Sequence, residues 1–274
     1  MKLKRALEKA EKIRWAADDS DVIINLTDEM AVSCADLPTP VYCQSEKVDL
    51  DIQAAFNNHC VCIQPDVPEM DCYKILHTKI QQLTKDKGWN TVMITSPRAG
   101  EGKTTTAINL ALTFSKAYDQ TVLLVDCDLR RQNIHKMLGF DSPRGLVDCL
   151  MDGKALRDIL IWPGVEKLIL ISGGRTIQSS TELLGSRRMK SLVQEMKTRY
   201  DDRYVLFDAP PVLMGADVMA LAPCVDSIVM VVENGKTTNS DVKKAVEMLP
   251  REKFLGFVMN RTKRLRRKDG YYYR

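Results

Sequence analysis

Ser96-Pro97-Arg98-Ala99-Gly100-Glu101-Gly102-Lys103-Thr104-Thr105 follows the apolar run Thr91-Val92-Met93-Ile94-Thr95 and leads into a helix-period segment over 103–117. The two glycines let the backbone curl so that successive N–H groups converge. The helix that follows adds the positive end of its dipole, and both features attract phosphate oxygens. Gly100, Glu101, Gly102, Lys103, Thr104 and Thr105 form the expected cradle. Lys103 is placed to reach the β- and γ-phosphates of ATP, and the Thr104 hydroxyl to ligate Mg²⁺. Pro97 stands where such loops ordinarily carry a glycine, a departure from the strict spacing.

Two further apolar runs end in acids. Val122-Leu123-Leu124-Val125-Asp126-Cys127-Asp128-Leu129-Arg130-Arg131 aims two carboxylates from a strand end, with 126 and 128 on one face because side chains alternate. Tyr204-Val205-Leu206-Phe207-Asp208-Ala209-Pro210-Pro211 ends in one acid, the layout of a carboxylate that holds the shell of a magnesium ion. Ligands bind at the carboxyl ends of strands in open α/β sheets. Together the three segments place Lys103, Thr104, Asp126, Asp128 and Asp208 at one sheet edge, an ATP–Mg²⁺ site.

The remaining apolar runs extend this pattern. Strands are expected at 91–95, 121–125, 168–171, 203–207, 227–232 and 255–259, alternating with helices at 103–117, 131–138, 154–160, 186–199 and 240–248. Continuously apolar strands separated by helices predict an α/β fold of the P-loop NTPase type, with a mostly parallel sheet covered on both faces. A helix is expected at 71–86, striped by Tyr73, Leu76, Ile80 and Leu83. The domain reading is an N-terminal helix (1–15) and loosely structured arm within 1–60, a P-loop domain over 61–260, and a tail over 261–274.

Composition bounds the rest. The 274 residues carry 40 Lys and Arg against 36 Asp and Glu, a net +4 that is too mild to indicate a specific nucleic-acid binder. The charge is uneven, because residues 261–274 hold seven Lys or Arg and one Asp. No apolar run approaches the ~18 residues that span a bilayer. The basic start, Met1 to Arg14, lacks the apolar stretch of a secretory signal. A cytoplasmic protein with reduced thiols is expected, and the eight cysteines show no spacing that completes a zinc site. The tail ends Asp269-Gly270-Tyr271-Tyr272-Tyr273-Arg274, three tyrosines at a chain end that can reach a neighbouring copy.

From about Asp71 to Arg274 the chain resembles the bacterial tyrosine kinases, autokinases of capsule and exopolysaccharide export. The resemblance rests on residues 94–105, on Val125 through Arg131, on Phe207-Asp208-Ala209-Pro210-Pro211, and on Thr181-Glu182-Leu183-Leu184-Gly185-Ser186, where the family has Glu-Leu-Leu-x-Ser. It implies that Tyr271, Tyr272 and Tyr273 are the phosphoacceptors and that Asn260 contacts adenine. It implies a homo-oligomer, ring or dimer, through the 71–86 helix, with Tyr73, Lys74, Leu76, His77, Arg130 and Arg131 in contact. It also implies a separate membrane chain-length regulator that activates the kinase, a phosphotyrosine phosphatase, and a peripheral location at the inner membrane face. The family's helix begins Glu-Tyr-Arg-x-Leu-Arg-Thr; here the stretch is Cys72-Tyr73-Lys74-Ile75-Leu76-His77-Thr78, without the glutamate or either arginine. The opening Lys4-Arg5-Ala6-Leu7-Glu8-Lys9-Ala10 resembles the subgroup linked to exosortase-type loci.

Phosphoryl transfer needs charge neutralisation and in-line placement more than covalent help. Lys103 and the loop amides are therefore the phosphate holders, Thr104, Asp128 and Asp208 the metal set, and Asp126 the candidate base, with the roles of Asp126 and Asp128 exchangeable. Two other classes compete. One is a partition or septum-positioning ATPase switch, which carries a lysine early in its phosphate loop, where this chain has Arg98. The other is a non-catalytic ATP-binding adaptor of an export complex.

Overall fold

The computed structural model describes residues 45–65 and 67–262; the expected 1–15 helix, most of the arm and the tyrosine cluster lie outside them. The elements run β1 (Glu46–Lys47), α1 (Ile52–Asn57), α2 (Met70–Thr84), β2 (Thr91–Thr95), α3 (Lys103–Phe114) and β3 (Thr121–Asp126). Then come α4 (Ile134–Leu138), α5 (Leu146–Asp152), β4 (Ile161–Trp162), β5 (Leu168–Ile171), α6 (Ser180–Leu184) and α7 (Arg187–Thr198). The last are β6 (Arg203–Asp208), α8 (Asp217–Leu221), β7 (Ser227–Glu233), α9 (Asn239–Glu247) and β8 (Phe254–Asn260).

The sheet order is β1-β4-β5-β3-β6-β2-β7-β8, parallel throughout except for the β4–β5 pair. Every residue of β2, β3 and β6 is buried, as expected for strands covered on both faces. Alternation divides their side chains. Val92, Ile94, Val122, Leu124 and Leu206 join α2, α3 and α4 in one core, while Met93, Leu123, Val125, Val205 and Phe207 join α5, α7 and α8 in the other. Because β3, β6 and β2 are parallel neighbours, their carboxyl ends share one edge, and the three motif segments meet there.

The structure corrects the arm at its end. Residues 45–60 form a short edge strand and a capped helix, with Asp51 accepting from the Ala54 N–H at 2.9 Å and with Ala55 and Cys60 fully buried. The helix expected at 154–160 is a single 3-10 turn, Leu156–Ile159. The α-helix lies earlier, over α5, and stops where Gly153 takes φ +73. On α2, Tyr73, Leu76 and His77 turn toward their own domain and are half-buried, while Lys74 faces outward. The His77 ring meets Phe114 edge-on at 4.2 Å and sits 3.2 Å from Gln120 Oε1. Burial holds its pKa below the ordinary imidazole value. Among the described residues no helix is long and apolar enough to cross a membrane.

Candidate active site

The loop between β2 and α3 needs two residues in the left-handed region, and Gly100 (φ +83) and Gly102 (φ +92) supply them. A Cβ on Gly102 would lie 2.0 Å from Asn260 Nδ2, so this glycine is required by contact as well as by φ. Pro97 is not at a positive-φ position; its carbonyl accepts the Leu213 N–H at 3.1 Å, which explains why proline is tolerated there. Glu101 is buried with its carboxylate turned away from the cavity. It accepts the Arg98 N–H at 2.8 Å and the Thr237 hydroxyl at 2.5 Å, bracing the loop against the turn after β7. Asn260 braces it from the end of β8, donating to the Glu101 carbonyl at 2.9 Å.

Lys103, at the first turn of α3, points back across the strand ends. Its Nζ lies 3.0 Å from Asp128 Oδ2 and 3.6 Å from Asp208 Oδ1, and all three side chains are nearly inaccessible to solvent. Burial alone would lower the lysine pKa, but Asp208 and Asp128 outweigh it and leave the ammonium firmly charged. Thr104 donates to Asp208 Oδ2 at 2.7 Å. Asp208 is raised above the ordinary carboxylate range, chiefly by burial, against the pull of Lys103 and Thr104. Its Oδ1 is buried with no hydrogen-bond partner. An under-satisfied buried carboxylate oxygen beside a hydroxyl is a donor set that suits a hard divalent cation such as Mg²⁺.

Asp126 lies deeper. Its oxygens accept the N–H groups of Asp128, Asn133 and Ile134 at 3.1 to 3.2 Å, so it shapes the turn from β3 into α4. Burial first, and Asp208 second, push its carboxyl up to about 7. Arg130 donates to Ser180 Oγ at 2.7 Å and pairs with Asp217 at 3.5 Å, tying this turn to α6 and α8.

These groups surround a cavity of about 470 Å³. Gly100, Gly102, Lys103, Thr104, Thr105, Asp128, Arg130 and Arg131 line it, as do Pro210, Pro211, Met214 and Arg261. Glu101, Asp126, Asp208 and Asn260 stand behind this lining. The amide of Asn260 is engaged with the loop, and Arg261 presents the side chain at that end of the cavity. Sequence reading missed Arg261 and Met214. Arg261 directly follows the candidate Asn260 at the end of the last apolar run, whereas nothing in the sequence around Met214 marks it.

A P-loop nucleotide-binding α/β protein is the class that this sheet edge defines, and the AAA domain family matches residues 89–251. The tyrosine-protein kinase YwqD of Bacillus subtilis is 34% identical over 212 residues, 76% of this chain and 88% of that protein. The EpsB protein of Ralstonia nicotianae is 31% identical over 68% of this chain, which spans 24% of that protein's length. Among solved structures, the chimerical protein CapA2B2 superposes with a TM-score of 0.70 at 26% identity, covering 82% of this chain and 96% of the chimera. The chain belongs to the bacterial tyrosine-protein kinase family.

Proposed function

We propose that the protein is an ATP-dependent protein-tyrosine autokinase that phosphorylates Tyr271, Tyr272 or Tyr273 of a neighbouring copy, in the control of capsule or exopolysaccharide synthesis and export. The observation that carries this reading is Lys103, held between Asp128 and Asp208 at the edge where the phosphate loop ends. Family membership and the tyrosine-rich terminus support it. Bound Mg²⁺ and ATP supply the phosphoryl group and the charge neutralisation that its transfer requires. The amides of Gly100 to Thr105 and the Lys103 ammonium bind phosphate oxygens, and Thr104 with Asp208 holds the metal. Asp128, which opens on the cavity, takes the proton of the incoming phenol, exchanging the role expected for Asp126. Asp126 keeps the turn in place beneath it.

The ATPase-switch reading fits less well. Arg98, at the position of the early loop lysine, is folded away in a two-point pair with Asp241 at 2.8 and 2.9 Å. The oligomer through α2, a separate membrane regulator, a phosphatase, a peripheral membrane location and the exosortase-linked subgroup belong to the same proposal and rest on the family resemblance. Mass spectrometry of the C-terminal peptide after incubation with Mg²⁺-ATP tests it. Phosphate on residues 271–273 in the wild type and none in Lys103→Met is expected. Phosphate release with no phosphotyrosine would establish the switch instead, and neither product would establish the adaptor.

A further inference from the structure

The cavity lining has two chemistries. Lys103, Arg130, Arg131 and Arg261 give it a cationic side suited to a triphosphate, and Pro210, Pro211 and Met214 give it an apolar stretch next to the strand that carries Asp208. Met214 is 56% exposed, although Val212 is fully buried and Leu213 packs into the core. This outward apolar side chain is not on a loose loop. Thr95 Oγ1 donates to the Pro210 carbonyl at 2.6 Å. The Val212 and Leu213 N–H groups donate to the Ser96 and Pro97 carbonyls at 2.8 and 3.1 Å. Residues 210–213 are thus laced to the first residues of the phosphate loop, and Met214 is held at the mouth of the same cavity as Lys103, Thr104 and Asp128.

A phosphate cradle has no use for an exposed thioether, but an aromatic acceptor does. A phenol must lay its ring on something apolar while its hydroxyl reaches the phosphoryl group. Methionine sulfur against a ring is a favourable contact, and an unbranched side chain adapts to ring orientation. We infer that Met214, with Pro210 and Pro211 beneath it, is the platform that seats the ring of the acceptor tyrosine, and so is a specificity-determining residue for the transfer. The inference rests on the kinase reading above and deepens it. The chemistry balances as for any phosphoryl transfer. The phenol oxygen forms a bond to the γ-phosphorus, the bond to the bridging β–γ oxygen breaks with ADP leaving, and the phenol proton passes to a carboxylate.

The test uses full-length enzyme with residues 271–273 changed to Phe, so that its own terminal acceptors are removed, and reads phosphate on the acceptor's C-terminal peptide alone. Full-length Lys103→Met protein, its own tyrosines intact, is titrated as acceptor. Wild-type and Met214→Ala versions of the enzyme are compared for KM toward the acceptor, for kcat, and for affinity toward a fluorescent ATP analogue. The expected result is a KM raised about five- to tenfold in Met214→Ala, with ATP affinity unchanged and with recovery in Met214→Leu or Met214→Phe. An unchanged KM, or a loss of ATP affinity that matches the loss of transfer, overturns the platform while leaving the kinase reading intact. Absence of transfer by the Met214 enzyme itself overturns both.

Discussion

Asp126 and Asp208 are register partners at the ends of adjacent parallel strands, β3 and β6. Two carboxylates so paired and wholly buried would repel if both were ionised, and two things offset this. Asp126 is satisfied by three backbone N–H groups, and Asp208 by the Thr104 hydroxyl with Lys103 near its other oxygen. Without a cation, burial and the mutual repulsion hold both carboxyls above the ordinary carboxylate range, and a bound cation would favour their ionised forms.

That repulsion separates stability from activity. In Asp208→Asn the like-charge contact with Asp126 disappears, while Lys103 keeps its pair with Asp128 at 3.0 Å. The nucleotide-free protein in chelator is expected to gain on the order of 1 kcal/mol, read as a higher melting temperature. Tyrosine phosphorylation is expected to fall roughly 100-fold or more. A variant that melts lower without metal would show that Asp208 is needed for the fold itself.

Gly102→Ala strains the loop in two ways, since the residue sits at φ +92 and its new Cβ would strike Asn260 Nδ2. The left-handed conformation alone costs about 1–2 kcal/mol. ATP affinity by titration calorimetry is expected to drop about tenfold or more. Adding Asn260→Ala removes the clash but not the strained φ, so the double variant should recover part of the loss. Full recovery would mean that the conformational term is negligible.

The core of this fold was legible because each central strand is an apolar run closed by a chemical marker. Lys103, Asp126, Asp128 and Asp208 come to one edge because their strands are parallel neighbours, which the alternation of runs already implied. Legibility failed where structure depends on distant partners. Glu46 and Lys47 form a strand only because Ile161 and Trp162 lie beside them, and Ala55 is buried only against the main domain. Gly145 and Gly153 bracket α5, and this punctuation, not the apolar spacing of 154–160, marks where the helix lies. Sequence put Asp126 and Asp128 on one face but did not show that the turn into α4 covers Asp126 while Asp128 faces the cavity, because that depends on where the following backbone N–H groups fall.

Asp226 makes stability depend on acid. It accepts the Asn90 and Thr91 N–H groups at 3.1 and 3.2 Å and pairs with Lys197, joining β7 to β2 and α7. Burial would raise its pKa, but Lys197, Thr91 and Asn90 prevail and hold it below the ordinary value. A carboxyl depressed in the folded state contributes stability that is present above about pH 4 and lost as pH falls through the folded pKa. Asp226→Asn is therefore expected to cost about 1–3 kcal/mol in urea unfolding at pH 7, and the gap from the wild type should close toward pH 3. A gap independent of pH would assign the loss to packing.

Arg98 separates the kinase from the switch. Its guanidinium is more than half exposed and grips Asp241 at the start of α9, while its backbone N–H, not its side chain, joins the loop through Glu101. The pair is two-pointed and its Asp241 half is nearly inaccessible to solvent, so removing Arg98 leaves that carboxylate without its cation, but the Arg98 side chain does not line the cavity. Arg98→Ala should lower the melting temperature slightly, because Asp241 loses its partner, and leave phosphotyrosine formation within about threefold of the wild type, because the amide contact to Glu101 survives. An ATPase that used this position as the switch lysine is used would respond differently. Its basic side chain would act on the nucleotide of a facing copy, and the same substitution would stop turnover. Measuring phosphotyrosine and free phosphate side by side in Arg98→Ala decides between them: loss of both would put Arg98 in the chemistry and favour the switch, while retention of both leaves its side chain a brace between the phosphate loop and α9.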